Sequence, residues 1–391
     1  MTLTPAQILA TVDEAMSVGD LSAANRLLQA LKRTGEDLDE IEERLAEIAR
    51  RLGLDRPPAA PDPAYLLIRG WGAGFWADVG HVALQTILAE GLGRKPVVYW
   101  GRESRYYQPG AGNAWDLYFE PMSSANMAEV SVTGLSYFPA KWNAANLRTP
   151  RLNKDAGDGS RVSSLYFLNR PENVLVSDYY TEPDDILPWL PTWRGVDGEA
   201  ALGAFYRSRL RLKPPLAMPL DSMERQLLKD RPMLAVHFRT QSSIKALEAA
   251  DRDSVSIEAY FPVIDRHLDA NPGGGIFAIT DFAPAYAALK ERYGVRVTSR
   301  SVARLTAVDQ LSLEWQTHID GRRLAIEVIF DTYLAARCDA FLGDGASGVS
   351  NAVCRLKAWP EGTVTLFRRS GVPLGHIRQH SDPSSWWNPP E

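Results

Sequence analysis

Three short runs in the second half of the chain carry residue types that could manage the charge of a phosphorylated ligand. His237-Phe-Arg239 sets an imidazole two residues from a guanidinium, Thr280-Asp281 supplies a hydroxyl and a carboxylate, and Gly343-Asp-Gly-Ala-Ser-Gly348 leads straight into a predicted helix. Glycines let backbone N–H groups approach a ligand, and a helix beginning behind Ser347 adds a partial positive charge, so the Gly345–Ser347 loop suits a phosphate. Arg239 presents a rigid fork of donors that matches a diphosphate. Taken alone the His-x-Arg pair is weak. Six histidines and 43 basic residues in 391 give about 0.7 such pairs by chance, and His376-Ile-Arg378 is a second one. Its weight comes from position, because all three runs close predicted strands, and open α/β sheets bind ligands beyond the carboxyl ends of their strands.

Other patterns point elsewhere and are weaker. Gly72-x-Gly74-x-x-Ala77 after a predicted strand has the form of a dinucleotide fingerprint, but Tyr99-Trp100-Gly101 stands where that fingerprint needs an acid. The histidines are scattered, His376 and His380 apart, so no metal site is expected. Asp251-Arg-Asp253 has an acid-x-acid form and reads best as a solvated loop. Forty-three basic against 48 acidic residues leave a formal charge of -5, which excludes the footprint of a general nucleic-acid binder. Only Cys338 and Cys354 are present, too few for a disulfide scaffold; reduced core thiols, and hence the cytoplasm, are expected. No apolar run approaches the roughly 18 residues of a membrane span, and the start of the chain lacks a secretory pattern.

The elements that must hold these residues follow from periodicity. Residues 1–54 predict three short helices: Thr4-Pro5 opens the first, Gly19-Asp20 breaks it, and Leu38, Ile41, Leu45, Ile48 and Leu52 form one apolar stripe in the third. They are expected to form a tetratricopeptide-like hairpin plus a helix, either a cap on the next domain or a surface for a protein partner or self-association. Residues 55–63 carry four prolines and read as a linker. Tyr65–Arg69, Trp76–Glu90 and Pro96–Trp100 make a strand, a helix and a strand. From 101 to about 220 the chain is rich in aromatics, among them Tyr106, Trp115, Trp142 and Trp189, and yields no clear elements; it is the expected acceptor side. From Met233 strands and helices alternate: strand Met233–Phe238, helix Ile257–Leu268, strand Ile276–Thr280, helix Pro284–Tyr293, strand Val295–Val297, helix Arg322–Arg337, strand Ala340–Leu342, helix Ser347–Leu356 and strand Thr363–Phe367. The fold class expected is therefore α/β, with two Rossmann-like lobes (64–225 and 226–391) behind a helical appendage.

The runs Leu234–Arg239, Ser256–Tyr260, Phe277–Asp281 and Asp331–Ser347, in that order, resemble the fucosyltransferase superfamily. That group includes the rhizobial nodulation fucosyltransferases, the core α-1,6-fucosyltransferases and the protein O-fucosyltransferases. The likeness covers about 64–370, including Gly70–Trp100, where a glycine loop with Gly72 and Gly74 opens a helix carrying His81. It implies a GT-B-like fold, a GDP-fucose donor, inversion at the anomeric carbon and no required metal or other cofactor. It also implies donor-binding roles for His81 and the Gly72–Gly74 loop. Arg239 matches the arginine that neutralises the β-phosphate, Ser347 a serine on the diphosphate, and His237 with Asp331 the pair that recognises the guanine nucleotide. Asp281 and Gly345 join them at the strand ends, and Glu248 falls where the candidate base is carried. The chain departs from the pattern at Thr240-Gln-Ser-Ser243, where a basic and an acidic partner are missing and Lys245 is the available cation.

Two functions follow. The first is an inverting transferase that moves a sugar from a GDP-sugar to a glycan or glycoconjugate hydroxyl, with Arg239 and Glu248 catalytic and Asp251 or Asp253 as fallback bases. The second is a sugar-nucleotide or glycan-binding protein without catalysis, for which the altered 240–243 loop is the motive.

Overall fold

The computed structural model of the protein describes residues 4–33, 38–55, 59–70, 72–149, 162–179, 181–239, 256–307, 313, 316, 320–345, 347–367 and 373–376. The class is α/β, built on two sheets. The chain forms two compact units that interleave in sequence. One gathers Met1–Trp71, His81–Glu103 and Pro121–Gly198, the other Gly72–Gly80, Ser104–Glu120 and Glu199–Glu391.

The first unit opens with α1 (Pro5–Ser17), α2 (Leu21–Arg33) and α3 (Leu38–Leu52). Thr4 and Gln7 form a capping box that satisfies the first donors of α1. The expected stripe turns inward: Ile41, Leu45 and Ile48 are buried, as are Val12, Leu28 and Leu31. The helices are docked on their own unit. Asn25 Nδ2 donates to the Asp185 carbonyl at 3.1 Å, Trp189 Nε1 donates to Asn25 Oδ1 at 3.1 Å, and Asn169 Nδ2 donates to the Leu52 carbonyl at 2.9 Å. Beyond them, β1 (Tyr65–Arg69), α4 (Phe75–Gly91), β2 (Lys95–Tyr99), β3 (Tyr137–Phe138) and β4 (Val174–Ser177) follow, and the strands form a parallel sheet in the order β2-β1-β4-β3. The first turns of α4 belong to the second unit and the rest to the first.

Counting helices of two turns or more, the second unit continues with α5 (Gly198–Ser208), α6 (Leu220–Leu227), α7 (Phe261–Ala270), α8 (Ala283–Tyr293), α9 (Gly321–Ala335) and α10 (Gly348–Leu356). Its strands are β5 (Met233–Phe238), β6 (Gly275–Thr280), β7 (Val297–Thr298), β8 (Ala340–Asp344), β9 (Val364–Phe367) and β10 (Pro373–His376). They lie in the order β10-β9-β8-β5-β6-β7, all pairings parallel except β10 on β9. Every residue of β5 and β6 is buried, as expected for strands covered on both faces. The two-residue side-chain period sends Leu234, Val236 and Phe238 into one cluster with Ile264, Leu268, Ala285 and Leu289, and sends Ala235 and His237 to the other face.

Several predicted elements differ in detail: β8 runs two residues past the expected end at Leu342, to Asp344, α9 ends at Ala335 rather than Arg337, and Ser347 caps α10 rather than beginning it. The helix expected over Ile257–Leu268 is a 3-10 turn at Ile257–Tyr260 followed by α7, because Pro262, which lacks an N–H, restarts the helix at its first turn. The strand expected at Val295–Val297 begins at Val297, since Gly294 at φ +55° ends α8 and a 3-10 turn uses the next residues.

Candidate functional site

In the second sheet the chain steps from β5 to β6 to β7, then crosses through α9 to β8 on the opposite side of β5. The strand order therefore reverses between β5 and β8. In an open parallel sheet the crevice beyond the carboxyl ends at such a reversal is where ligands bind. His237 and Arg239 close β5, and Asp344 closes β8 ahead of Ser347 and α10.

One hydroxyl ties the two strand ends together. Ser350 Oγ, buried one turn into α10, lies 2.8 Å from His237 Nδ1 and accepts the Asp344 backbone N–H at 3.1 Å. This approach requires Gly343, because a Cβ there would sit 2.5 Å from Ser350 Oγ and 2.6 Å from the Phe341 ring. Burial, with the Arg239 cation adding to it, pushes His237 down to about 3. The imidazole is thus neutral at physiological pH and offers one N–H and one lone pair.

The loop between β8 and α10 is fixed from both sides. The Gly345 N–H donates to the Phe367 carbonyl at 2.7 Å, holding the loop to β9. Ser347 caps α10, its Oγ accepting the Val349 N–H at 3.3 Å, which satisfies one of the four donors a helix start leaves open. On the other side of β5, the Arg239 guanidinium pairs with the Asp281 carboxylate at the end of β6. A guanidinium has five donors, and the Arg239 side chain is 32% exposed.

Asp331 lies on α9 and faces the segment that follows β7. Arg300 Nη1 is 3.1 Å from Asp331 Oδ1, and Arg304, stacked 4.2 Å over the Tyr286 ring, stands close by. Burial raises Asp331 to about 6, against the pull of Arg300 and Arg304.

His237, Arg239, Asp281, Gly345 and Ser347 are accordingly brought to neighbouring strand ends, with Asp331 on the β7 side. The remaining expected donor residues lie on α4 and the glycine loop before it, and the start of α4 meets the entrance of α10: a Cβ on Gly348 would sit 3.6 Å from Ala77 N and from Trp76 Cβ. Gly72, at φ +82°, and Ala73 both donate their N–H groups to the Asp78 carboxylate at 3.3 Å, so these donors of the glycine loop meet a side chain of α4. Gly74, in the same loop, has open space beside its Cα. His81 belongs to the first unit, wholly buried with Nε2 3.4 Å from Ser177 Oγ, and burial lowers it to about 4. Glu248, Lys245, Asp251, Asp253 and the 240–243 loop lie outside the described residues. Of the aromatics between 101 and 220, Tyr106, Trp115 and Trp142 are core, and Trp115 packs 4.6 Å from Phe119.

Sequence reasoning missed Ser350 and Arg300. Ser350 had a faint signal, lying three residues past Ser347 and so one helical turn further on. Arg300 had none, because only the strand order brings the end of β7 against α9.

No protein-family model matches the chain, and no curated protein matches it. Among solved structures it is similar to the NodZ α-1,6-fucosyltransferase. The form co-crystallised with GDP has a TM-score of 0.54 at 18% identity, and the form soaked with GDP-fucose a TM-score of 0.53 at 18% identity; each alignment covers 81% of this chain and 99% of that one. The fucosyltransferase NodZ from Bradyrhizobium gives 0.53 at 17% identity over the same shares of the two chains. The chain shares the α/β fold of these fucosyltransferases.

Proposed function

We propose that the protein is an inverting glycosyltransferase of the cytoplasm that takes a GDP-sugar, GDP-fucose in the first place, and passes the sugar to a hydroxyl of a glycan or glycoconjugate without a metal ion. The observation that carries this reading is the fixed set of His237, Arg239 and the capped α10 entrance at the reversal of strand order, in a fold shared with a fucosyltransferase solved with GDP.

In this reading the diphosphate lies across the ends of β5 and β8. The acceptor oxygen forms its bond to the anomeric carbon as the bond from that carbon to the β-phosphate oxygen breaks, and GDP leaves with the electron pair. Arg239 and the amino terminus of α10 with Ser347 offset the charge gained by the leaving group, and fixed donors of this kind are most effective where water is excluded. The acceptor's proton passes to a carboxylate, which the family resemblance assigns to Glu248; burial or a neighbouring charge must raise that group above about 4.3 for it to act as a base. His237 acts as a neutral hydrogen-bonding group. Ser350 Oγ, having accepted from Asp344, retains one proton and one lone pair, so it can pair with Nδ1 in either tautomer; in this reading it donates to Nδ1, and Nε2 carries the imidazole proton toward the nucleotide. Asp331 takes the base. Strands about 4.8 Å apart place the end of β7 about 10 Å from that of β5, the scale of a nucleoside diphosphate between terminal phosphate and base.

A thermal-shift screen of GDP, UDP, CDP and NAD tests the reading, because a ligand specific for the folded state raises the melting temperature by mass action. GDP is expected to give the largest shift, followed by turnover of GDP-fucose with a screened acceptor. Stabilisation by NAD or UDP and not by GDP defeats the reading. GDP binding with neither transfer nor donor hydrolysis moves the protein to the non-catalytic alternative.

A further inference from the structure

The carboxylate that would read the base already carries a cation. Arg300 Nη1 lies 3.1 Å from Asp331 Oδ1 and also donates to the Glu327 carbonyl at 2.9 Å, while its guanidinium rests 5.0 Å over the Phe330 ring. Both side chains are nearly buried, 14% and 11% exposed. Asp331 Oδ2 accepts no hydrogen bond among the described residues, and the other charged groups facing the carboxylate are Arg304 and Glu327. Arg304 is held in turn by Ser299 Oγ at 3.1 Å.

A buried carboxyl tends to take up a proton, and the two forms read different partners: ionised it only accepts, protonated it also donates. Guanine shows two donors on its Watson–Crick edge, N1–H and the 2-amino group, whereas adenine shows an acceptor at N1 beside its 6-amino donor. The charge on one carboxyl therefore selects the purine.

We propose that Arg300 sets the base specificity of the donor site by holding Asp331 as a pure acceptor, which admits a purine with N1–H and a 2-amine and disfavours adenine. The inference rests on the GDP reading above and deepens it. Arg300 is a positioning residue, acting through Asp331 rather than on the sugar. Each carboxylate oxygen has two lone-pair sites, so the Arg300 bond leaves acceptors for both guanine donors.

Calorimetric titration of the full chain with GDP, IDP and ADP provides the test. The wild type is expected to rank GDP over IDP over ADP, since IDP lacks the 2-amine. Arg300→Gln is expected to shrink the GDP-to-ADP ratio by about ten- to a hundredfold, the worth of hydrogen bonds to a charged group, and Arg300→Lys to restore much of it. Asp331→Asn, which removes a buried charge, should reduce the ratio similarly, and adding Arg300→Gln in that background should change it no further. An unchanged ratio in Arg300→Gln, or additive losses in the double variant, overturns the inference alone. A wild-type protein that binds no GDP overturns the underlying reading and this inference with it.

Discussion

Replacing Ser350 with alanine removes one oxygen that two elements share. The hydroxyl accepts the Asp344 N–H at 3.1 Å and meets His237 Nδ1 at 2.8 Å, and Ser350 itself is fully buried. Each such hydrogen bond has a net worth of about 1 kcal/mol, and a buried group left unpaired costs about 1–3 kcal/mol, so the expected loss is roughly 2–4 kcal/mol. For a unit of this size that lowers the melting temperature by roughly 5–15 °C. Ser347→Ala is the control. Without ligand it removes only the helix cap, whose Oγ accepts from Val349 at 3.3 Å, and should cost about 1 kcal/mol; it is a control for stability and not for GDP affinity, since Ser347 is itself placed at the diphosphate. Melting curves of both variants, with and without saturating GDP, are the assay. Ser350→Ala should be the less stable and should also lose about tenfold in GDP affinity as His237 loses its orientation. A Ser350→Ala protein that melts within about 2 °C of wild type and binds GDP equally well refutes the idea that this hydroxyl joins β5 to β8.

Arg239→Ala is expected to lower kcat/KM for the GDP-sugar by about 3 kcal/mol in barrier terms, as loss of a charge-stabilising group does; steady-state kinetics showing near wild-type transfer would remove it from the mechanism. Gly343→Ala drives a Cβ to 2.5 Å from Ser350 Oγ and 2.6 Å from the Phe341 ring, and a urea titration should register a loss of about 1–3 kcal/mol. Asp185 is 1% exposed, and burial raises it from 3.8 to about 6, opposed by Arg26 at 3.6 Å. The folded chain thus holds this proton more tightly than the unfolded one, so acidification through the window between pH 6 and 4 stabilises, and the penalty of at most about 3 kcal/mol is complete above it. Asp185→Asn should raise the melting temperature at pH 7 and reduce the gain that the wild type shows on going to pH 5, whereas an identical pH profile in the variant would place the titration elsewhere.

Central strands of both sheets were legible because a fully buried parallel strand is a continuous apolar run. Met233–Phe238 and Tyr65–Arg69 lie where the pattern puts them, and the glycine-serine loop opens a helix as its residues require. The helix start at Ser347 was readable from the glycine-serine loop, although Ser347 caps the helix rather than being its first residue; the partner of His237 was not. Whether a serine at 347 or at 350 faces β5 depends on which strand lies beside β8, and strand order is set by long-range packing rather than local pattern. The stretch from 101 to 220 resisted assignment for a related reason. Trp115 and Tyr118 go to the core of the second unit and Trp142 to that of the first, so neighbouring aromatics in sequence answer to different surroundings and no single period runs through them.

The interleaving of the chain has a practical consequence for anyone wishing to handle the second unit by itself. Phe75 packs 5.3 Å from Trp76 and 5.0 Å from Tyr106, and Trp76 in turn meets Tyr206 at 6.1 Å and Tyr333 at 6.3 Å, all inside the second unit. A fragment starting at 199 would lack Phe75, Trp76, Tyr106 and Trp115, and would leave Tyr206 and Tyr333 facing a hole the width of several rings. Neither half can be exchanged as a cassette by one crossover, and a swap that preserves the aromatic cluster has to carry the 72–80 and 104–120 excursions along with it.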